Sequence, residues 1–380
     1  MTQTVLVVFG TRPEAIKMLP VAKALMQSAD IDCRICVTAQ HREMLDQVLQ
    51  LFAVTPDYDL NIMTHAQGLE NVTSAVLDGL SQIIDEVAPD RILVHGDTTT
   101  TMAATLAAFY KNVPVGHVEA GLRSGDIMQP WPEEMNRRVT DVMADQLYAP
   151  TASSRANLLK EGVAAKNIFV TGNTVIDALL QISQRIEKNP VVASQLADHF
   201  DFLDPDRAIL LVTGHRRENF GAPFLSLCEA IRDLALQHPI QVVYPVHLNP
   251  NVQSAVRKVL SDIKNVHLIK PQDYLPFVYL MKRAHVILTD SGGIQEEAPA
   301  LGKPVFVMRN VTERPEAVEA GTVRLVGTDR EQIVSMVSDV LSHPASYQYM
   351  SRAHNPYGDG HASQRILEIL LHGQTSEFSE

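Results

Sequence analysis

Short apolar runs bounded by glycine, proline and polar residues alternate with longer stretches of helical spacing along the whole chain. Val5 to Phe9 is the first such run, and its unbroken aliphatic content fits a strand buried on both faces of a parallel sheet. Similar runs recur at Ile31 to Val37, Arg91 to Asp97, Asn112 to Val118 and Asn167 to Thr171. A second series follows at Ala208 to Thr213, Ile240 to Val246, Val266 to Ile269, His285 to Thr289, Pro304 to Met308 and Thr322 to Val326. Helices are expected between these strands, and two more near Glu331 to Ser342 and His361 to Leu371. Pro13 suits the first turn of the helix after Gly10, whereas Pro20 should kink or restart that helix. The charged, proline-containing segment from Gln184 to Asp206 reads as an irregular connection between the two series.

Two series of strand–helix alternation predict an α/β chain of two doubly wound, Rossmann-like domains facing each other across a cleft. The expected boundaries are residues 1–172 and 173–360, with the last segment, 361–380, packing back on the first domain. A length of 380 residues agrees with two cores rather than one.

Composition narrows the partners. Apolar residues make up 46% and charged residues 20%, enough for burial and for a solvated surface. A net charge of −12 leaves no basic surplus for nucleic acid or an anionic membrane, although one local cationic cluster can still bind a small anion. No apolar stretch approaches the roughly 20 residues needed to cross a bilayer. Met1 to Thr4 holds no basic segment, so no signal peptide is expected, and three cysteines suit a reducing, cytoplasmic setting. Cys33 and Cys36 have C-x-x-C spacing but fall within one predicted strand, where residues three apart face opposite ways, so no metal site is expected there.

The candidate chemistry gathers at strand ends. After His285 to Thr289, Asp290-Ser291-Gly292-Gly293 breaks the run and a helix is expected from Ile294 to Leu301. Bare backbone N–H groups at such a helix start suit a phosphate or diphosphate, and glycines let it approach the backbone. Arg314, in Thr312-Glu313-Arg314-Pro315-Glu316, would bring a guanidinium to the same strand ends. Arg12 and Lys17 follow the first strand. Asp97 and Glu119 end successive strands, where open α/β sheets bind ligands, and Pro132-Glu133-Glu134 opens a helix. His215 follows the first strand of the second series and is suited to hydrogen-bond or protonate a phosphate oxygen. Most of the other histidines, His95 and His117 among them, are read as packing.

Gly10-Thr11-Arg12-Pro13-Glu14-Ala15-Ile16-Lys17, His95-Gly96-Asp97-Thr98, His117-Val118-Glu119-Ala120-Gly121-Leu122-Arg123, Pro132-Glu133-Glu134, Gly214-His215-Arg216-Arg217-Glu218, Asp290 through Glu297 and Thr312 through Glu316 stand in one order. In that order they resemble the non-hydrolysing UDP-N-acetylglucosamine 2-epimerases. The resemblance runs from about Val5 to Gly360. It implies a GT-B-type fold, a homodimer and no cofactor. It also implies interconversion of UDP-N-acetylglucosamine and UDP-N-acetylmannosamine, by elimination of UDP to a 2-acetamidoglucal and re-addition, in the service of bacterial surface polysaccharides.

Asp97, Glu119 and Glu133 are then the acids that handle the C2 proton on its two faces. Crowding among carboxylates is expected to keep one of them protonated. His215, Arg12, Lys17 and Arg314 would neutralise the leaving diphosphate, with Ser291, Gly292 and Gly293 cradling it. Gln272 and Phe277 would lie near uracil and Glu297 would accept the ribose hydroxyls. Gln40, His41 and His247 match positions where some relatives bind a second, activating substrate molecule, while Glu43 and Ala66 depart from that pattern. A glycosyltransferase or a hydrolysing epimerase using a UDP-sugar, and a non-catalytic sensor, are the competing readings.

Overall fold

The computed structural model describes residues 2–39, 42–63, 68–214, 216 and 219–379. Two compact units emerge, Met1–Ala178 with Tyr357–Glu380, and Leu179–Pro356. Each is the doubly wound, parallel-sheet α/β domain expected. The division falls inside the helix Thr174–Lys188 rather than at its start.

In the first unit the strands are β1 (Gln3–Phe9), β2 (Ile31–Val37), β3 (Tyr58–Asp59), β4 (Arg91–His95), β5 (Val115–Val118), β6 (Gln146–Ala149) and β7 (Ile168–Val170). They pair in the order β3-β2-β1-β4-β5-β6-β7, all parallel. Val5 to Phe9 are at most 1% exposed, because helices cover both faces of this central strand. One face packs Leu6, Val8, Ile92 and Val94 against Val76, Leu80, Ala103 and Ala107 of two helices. The chain order reverses between β1 and β4, and such a switch point opens a ligand-binding crevice at the strands' carboxyl ends.

The second unit repeats the plan with β8 (Ala208–Thr213), β9 (Ile240–Pro245), β10 (Val266–Ile269), β11 (Val286–Thr289), β12 (Val305–Val307) and β13 (Val323–Leu325), ordered β10-β9-β8-β11-β12-β13. Its switch point lies between β8 and β11. Leu210, Val212, Leu288 and Phe306 meet Leu227, Ile231 and Val337 in its core.

Several expectations change. Gln184 to Asp206 is mostly helical: Thr174–Lys188 is followed at once by Pro190–His199. Pro190 starts that second helix, and the Asn189 side chain accepts from the N–H groups of Val191 and Val192 at 3.1 and 3.3 Å. Pro20 sits inside a continuous helix, Arg12–Met26. The fourth strand stops at His95, since Gly96 turns to φ +67° and leaves Asp97 in a loop. β5 begins only at Val115, because Asn112 takes a left-handed turn at φ +55°. The diphosphate-type helix starts at Gly292 rather than Ile294. β3, β6 and the helix Pro344–Ser351 were not foreseen.

Candidate active site

Gly10 carries the chain from β1 into the helix Arg12–Met26. A Cβ there would lie 2.0 Å from Thr38 Oγ1 and 2.7 Å from Thr100 Oγ1, so glycine is the residue that fits. Glu14, 2% exposed, then accepts from the backbone N–H groups of Gly10 (3.1 Å) and Thr11 (2.8 Å) and from the hydroxyls of Thr98 (2.7 Å) and Thr101 (3.1 Å). One buried carboxylate therefore ties together the two loops that flank the switch point. Arg12 and Lys17 come from this anchored helix.

Glu119 follows β5 in a left-handed conformation, φ +66°, which costs a non-glycine residue roughly 1–2 kcal/mol. Its carboxylate is nearly buried and pairs with Lys17; Asn173 Nδ2 donates to it at 3.0 Å, and His95 Nε2 lies 3.7 Å away. Burial alone would push this carboxyl up. The Lys17 ammonium and His95 outweigh that and hold it well below the usual carboxylate range. Glu119 is therefore not the acid that crowding would keep protonated, since its nearest charged partner is a cation.

Asp97 is likewise bound to a cation, Arg137, and its backbone carbonyl accepts from Asn136 Nδ2 at 2.9 Å. Arg137 and Asn136 belong to the helix Glu133–Met143, so the same helix that begins with Glu133 docks on Asp97. Arg137 also holds the buried Glu134 at 3.2 Å, and Glu134 accepts from Ser124 N at 3.1 Å. Glu133 Oε2 is buried without a hydrogen-bond partner among the described residues. Asp97, Glu119 and Glu133 are thus carried on segments of the first unit that grip one another.

In the second unit, Ser291 is the N-cap of the helix Gly292–Ala300, and its side chain makes no capping hydrogen bond. Among the described residues, a Cβ on either Gly292 or Gly293 would meet nothing within 4 Å at this positive helix end. Thr289 Oγ1 accepts from Ser291 N at 3.0 Å and meets Thr213 Oγ1 at 2.6 Å. Asp290, fully buried, accepts from Arg216 N at 2.8 Å, fastening the turn after β8 to the turn after β11. Arg314 pairs with Glu296 of the glycine-led helix, and Thr312 Oγ1 donates to Gln295 Oε1 at 2.6 Å. The guanidinium and the helix start therefore share one region, as the motifs suggest.

His215 lies outside the described residues, as do Gln40, His41 and Ala66. Gln272 follows β10, three strands from β11 in the sheet, and bonds His199 Nε2 at 3.0 Å and the Lys270 carbonyl at 2.7 Å. Phe277 is half-buried in the helix Tyr274–Arg283, and Glu297 is 9% exposed on the glycine-led helix. His247 Nδ1 accepts from Asn249 N at 3.1 Å in the turn after β9. Burial pushes the thiols of Cys33 and Cys36 up to about 12, which suits inert packing. Among the described residues no group of three His, Cys, Asp or Glu side chains is placed to hold a metal ion.

Sequence reasoning passed over Asn173 and Arg137 and read His95 as packing; only tertiary structure brings Asn173 and His95 to Glu119 and Arg137 to Asp97.

A family model described as UDP-N-acetylglucosamine 2-epimerase matches residues 23–371. An Escherichia coli O157:H7 UDP-N-acetylglucosamine 2-epimerase is 60% identical over 373 residues, 98% of this chain and 99% of that protein. The chain belongs to the UDP-N-acetylglucosamine 2-epimerase family. The crystal structure of the family member from Neisseria meningitidis, bound to UDP-GlcNAc, is 51% identical, with a TM-score of 0.90 over 97% of this chain and 100% of that one. An S. aureus protein solved as a UDP co-structure is 42% identical, with a TM-score of 0.87 over the full length of both. Family membership makes the chain an isomerase of nucleotide sugars and leaves the roles of its individual side chains to be argued.

Proposed function

We propose that the protein interconverts UDP-N-acetylglucosamine and UDP-N-acetylmannosamine, eliminating UDP across C1 and C2 and adding it back to the 2-acetamidoglucal. One observation carries the reading of the site: each of two candidate acids of the first unit is bound to a cation, Asp97 to Arg137 and Glu119 to Lys17, while Glu133 has no such partner among the described residues. An acid held ionised accepts a proton, so Glu119 is assigned the removal of the C2 proton. Glu133 is assigned the delivery of a proton from the other face. Asp97, fixed between Arg137 and Asn136, is assigned to the reacting ring beside them.

Departure of UDP builds charge on its phosphates, and donors already aimed at them lower that barrier most. Arg12, Lys17, His215 and Arg314 are assigned to that charge, with the open N–H groups of Gly292 and Gly293 as the cradle and Ser291 at its edge. Gln272 and Phe277 are assigned to uracil and Glu297 to the ribose. Gln40, His41 and His247 are assigned to a second substrate molecule acting as activator. No cofactor is called for.

No helix among the described residues is long and apolar enough to cross a membrane. A cytoplasmic enzyme feeding surface-polysaccharide synthesis is the matching setting. Exposed Phe109, Tyr110 and Val142 sit near the ends of the helices Thr99–Tyr110 and Glu133–Met143, which supports a homodimer joined there. Light scattering on the purified protein reads the mass directly, and a monomer at micromolar concentration would remove that part.

Product analysis by NMR after incubation with UDP-N-acetylglucosamine alone tests the function. The UDP-linked manno sugar is the expected product. Free N-acetylmannosamine with UDP would point to the hydrolysing reaction, and turnover only with an added sugar acceptor to a glycosyltransferase.

A further inference from the structure

The three segments that carry Asp97, Glu119 and Glu133 converge on a buried pair to which no role has yet been given. His117, at the heart of β5 and fully buried, places Nδ1 2.6 Å from Asp141 Oδ1 and Nε2 2.7 Å from the Gly96 carbonyl oxygen. A carbonyl oxygen only accepts, so Nε2 carries a hydrogen. Burial pushes the Asp141 carboxyl up, but His117 and Arg123 beside it outweigh that and hold it below the usual range. Nδ1 therefore faces Asp141 across the short contact, and the ring is held at both ends.

The other Asp141 oxygen accepts from Gly121 N at 3.3 Å and pairs with Arg123 at 2.7 Å. Arg123 in turn binds Glu161 at 2.7 Å and donates to the Leu122 carbonyl at 2.7 Å. Gly96 directly precedes Asp97, and Gly121 lies just past Glu119. Asp141 stands on the helix that Glu133 begins, about two turns along it.

We infer that the His117–Asp141 pair is a positioning unit that sets the mutual placement of all three acids. His117 holds the turn before Asp97, Asp141 holds the turn after Glu119, and the Asp141 helix delivers Glu133 and the Arg137 that binds Asp97. The inference rests on the proton-handling roles proposed above. A pair kept for stability alone would lower the folded fraction of a variant and leave the turnover of each folded molecule unchanged.

Asp141→Asn is the direct test, read at a temperature where circular dichroism shows it folded. The expected result is a kcat about 100-fold lower, the size of loss that a small misplacement of reacting groups produces, with UDP affinity within threefold of the parent. The carboxyl-carbon NMR signals of both Asp97 and Glu119 should move. Glu161→Gln, which touches only the outer side of Arg123, should leave kcat and both signals in place. A kcat within threefold of the parent, or movement of only one of the two signals, overturns the inference. Should the parent not epimerise at all, the functional proposal fails while the NMR comparison still decides the positioning role. Should Asp141→Asn not fold, the ring-nitrogen spectrum of His117 in the parent protein decides: a hydrogen-bonded Nε2–H is expected, and a bare Nε2 overturns the clasp.

Discussion

Lys17 and Glu119 form an ion pair within the first unit, with both side chains largely buried. This contact sets the charge state of Glu119, because burial and the cation pull its carboxyl in opposite directions and the cation wins. Lys17 is also assigned to the leaving diphosphate. Substrate binding would then draw Lys17 from Glu119 and let burial raise the basicity of the carboxylate as the C2 proton comes under attack.

Lys17→Met removes the opposing cation and leaves the burial. The Glu119 carboxyl should rise, so the acid limb of the kcat/KM profile should move to higher pH, with activity at its plateau lower by about 100-fold. Stability follows from the same shift: the depressed carboxyl stabilises the parent above its unfolded value and that contribution is lost as pH falls, so the variant should be less stable than the parent at neutral pH and the gap should close in acid. An acid limb that stays in place would remove Glu119 from the proton-removing role.

Asp97→Asn keeps shape and loses charge. Its ion pair with Arg137 is partly exposed, so unfolding should shift by no more than about 1 kcal/mol. Turnover should fall by about 10³-fold. Calorimetry and initial rates on one preparation separate the two effects, and parallel losses would mark Asp97 as structural.

Gly293→Val tests the cradle. The backbone there needs no glycine and a Cβ meets no atom within 4 Å among the described residues, so the melting temperature should hold within a few degrees. The methyl groups would occupy the space assigned to the diphosphate, and UDP affinity measured by titration calorimetry should drop at least about tenfold. Unchanged affinity would place the diphosphate elsewhere.

Gly10→Ala tests the opposite kind of glycine. Its new methyl would run into Thr38 and Thr100, so the fold should lose about 1–3 kcal/mol in urea unfolding. A neutral result would mean that the loop can move, and that Glu14 does not fix it.

Much of this architecture was legible because fully buried strands such as Val5 to Phe9 leave an unbroken apolar signature. β3 and β6 did not register, being two and four residues long with no run to speak of. Pro190 misled for a reason particular to proline: it is a breaker inside a helix and a starter at its first turn. At the site, the acids announced themselves by standing at strand ends. Their partners did not. Lys17 lies 102 residues from Glu119 and Arg137 lies 40 from Asp97. The His117 clasp was hidden because a histidine in a strand looks the same whether its ring nitrogens are idle or each holds a loop.

The central claim is that the C2–H bond is broken and remade during turnover. Incubation with UDP-N-acetylglucosamine in D2O, followed by NMR of the products, tests it most directly. The account predicts the manno epimer carrying deuterium at C2, with label also entering recovered starting material. Epimer formed without deuterium at C2 would contradict it.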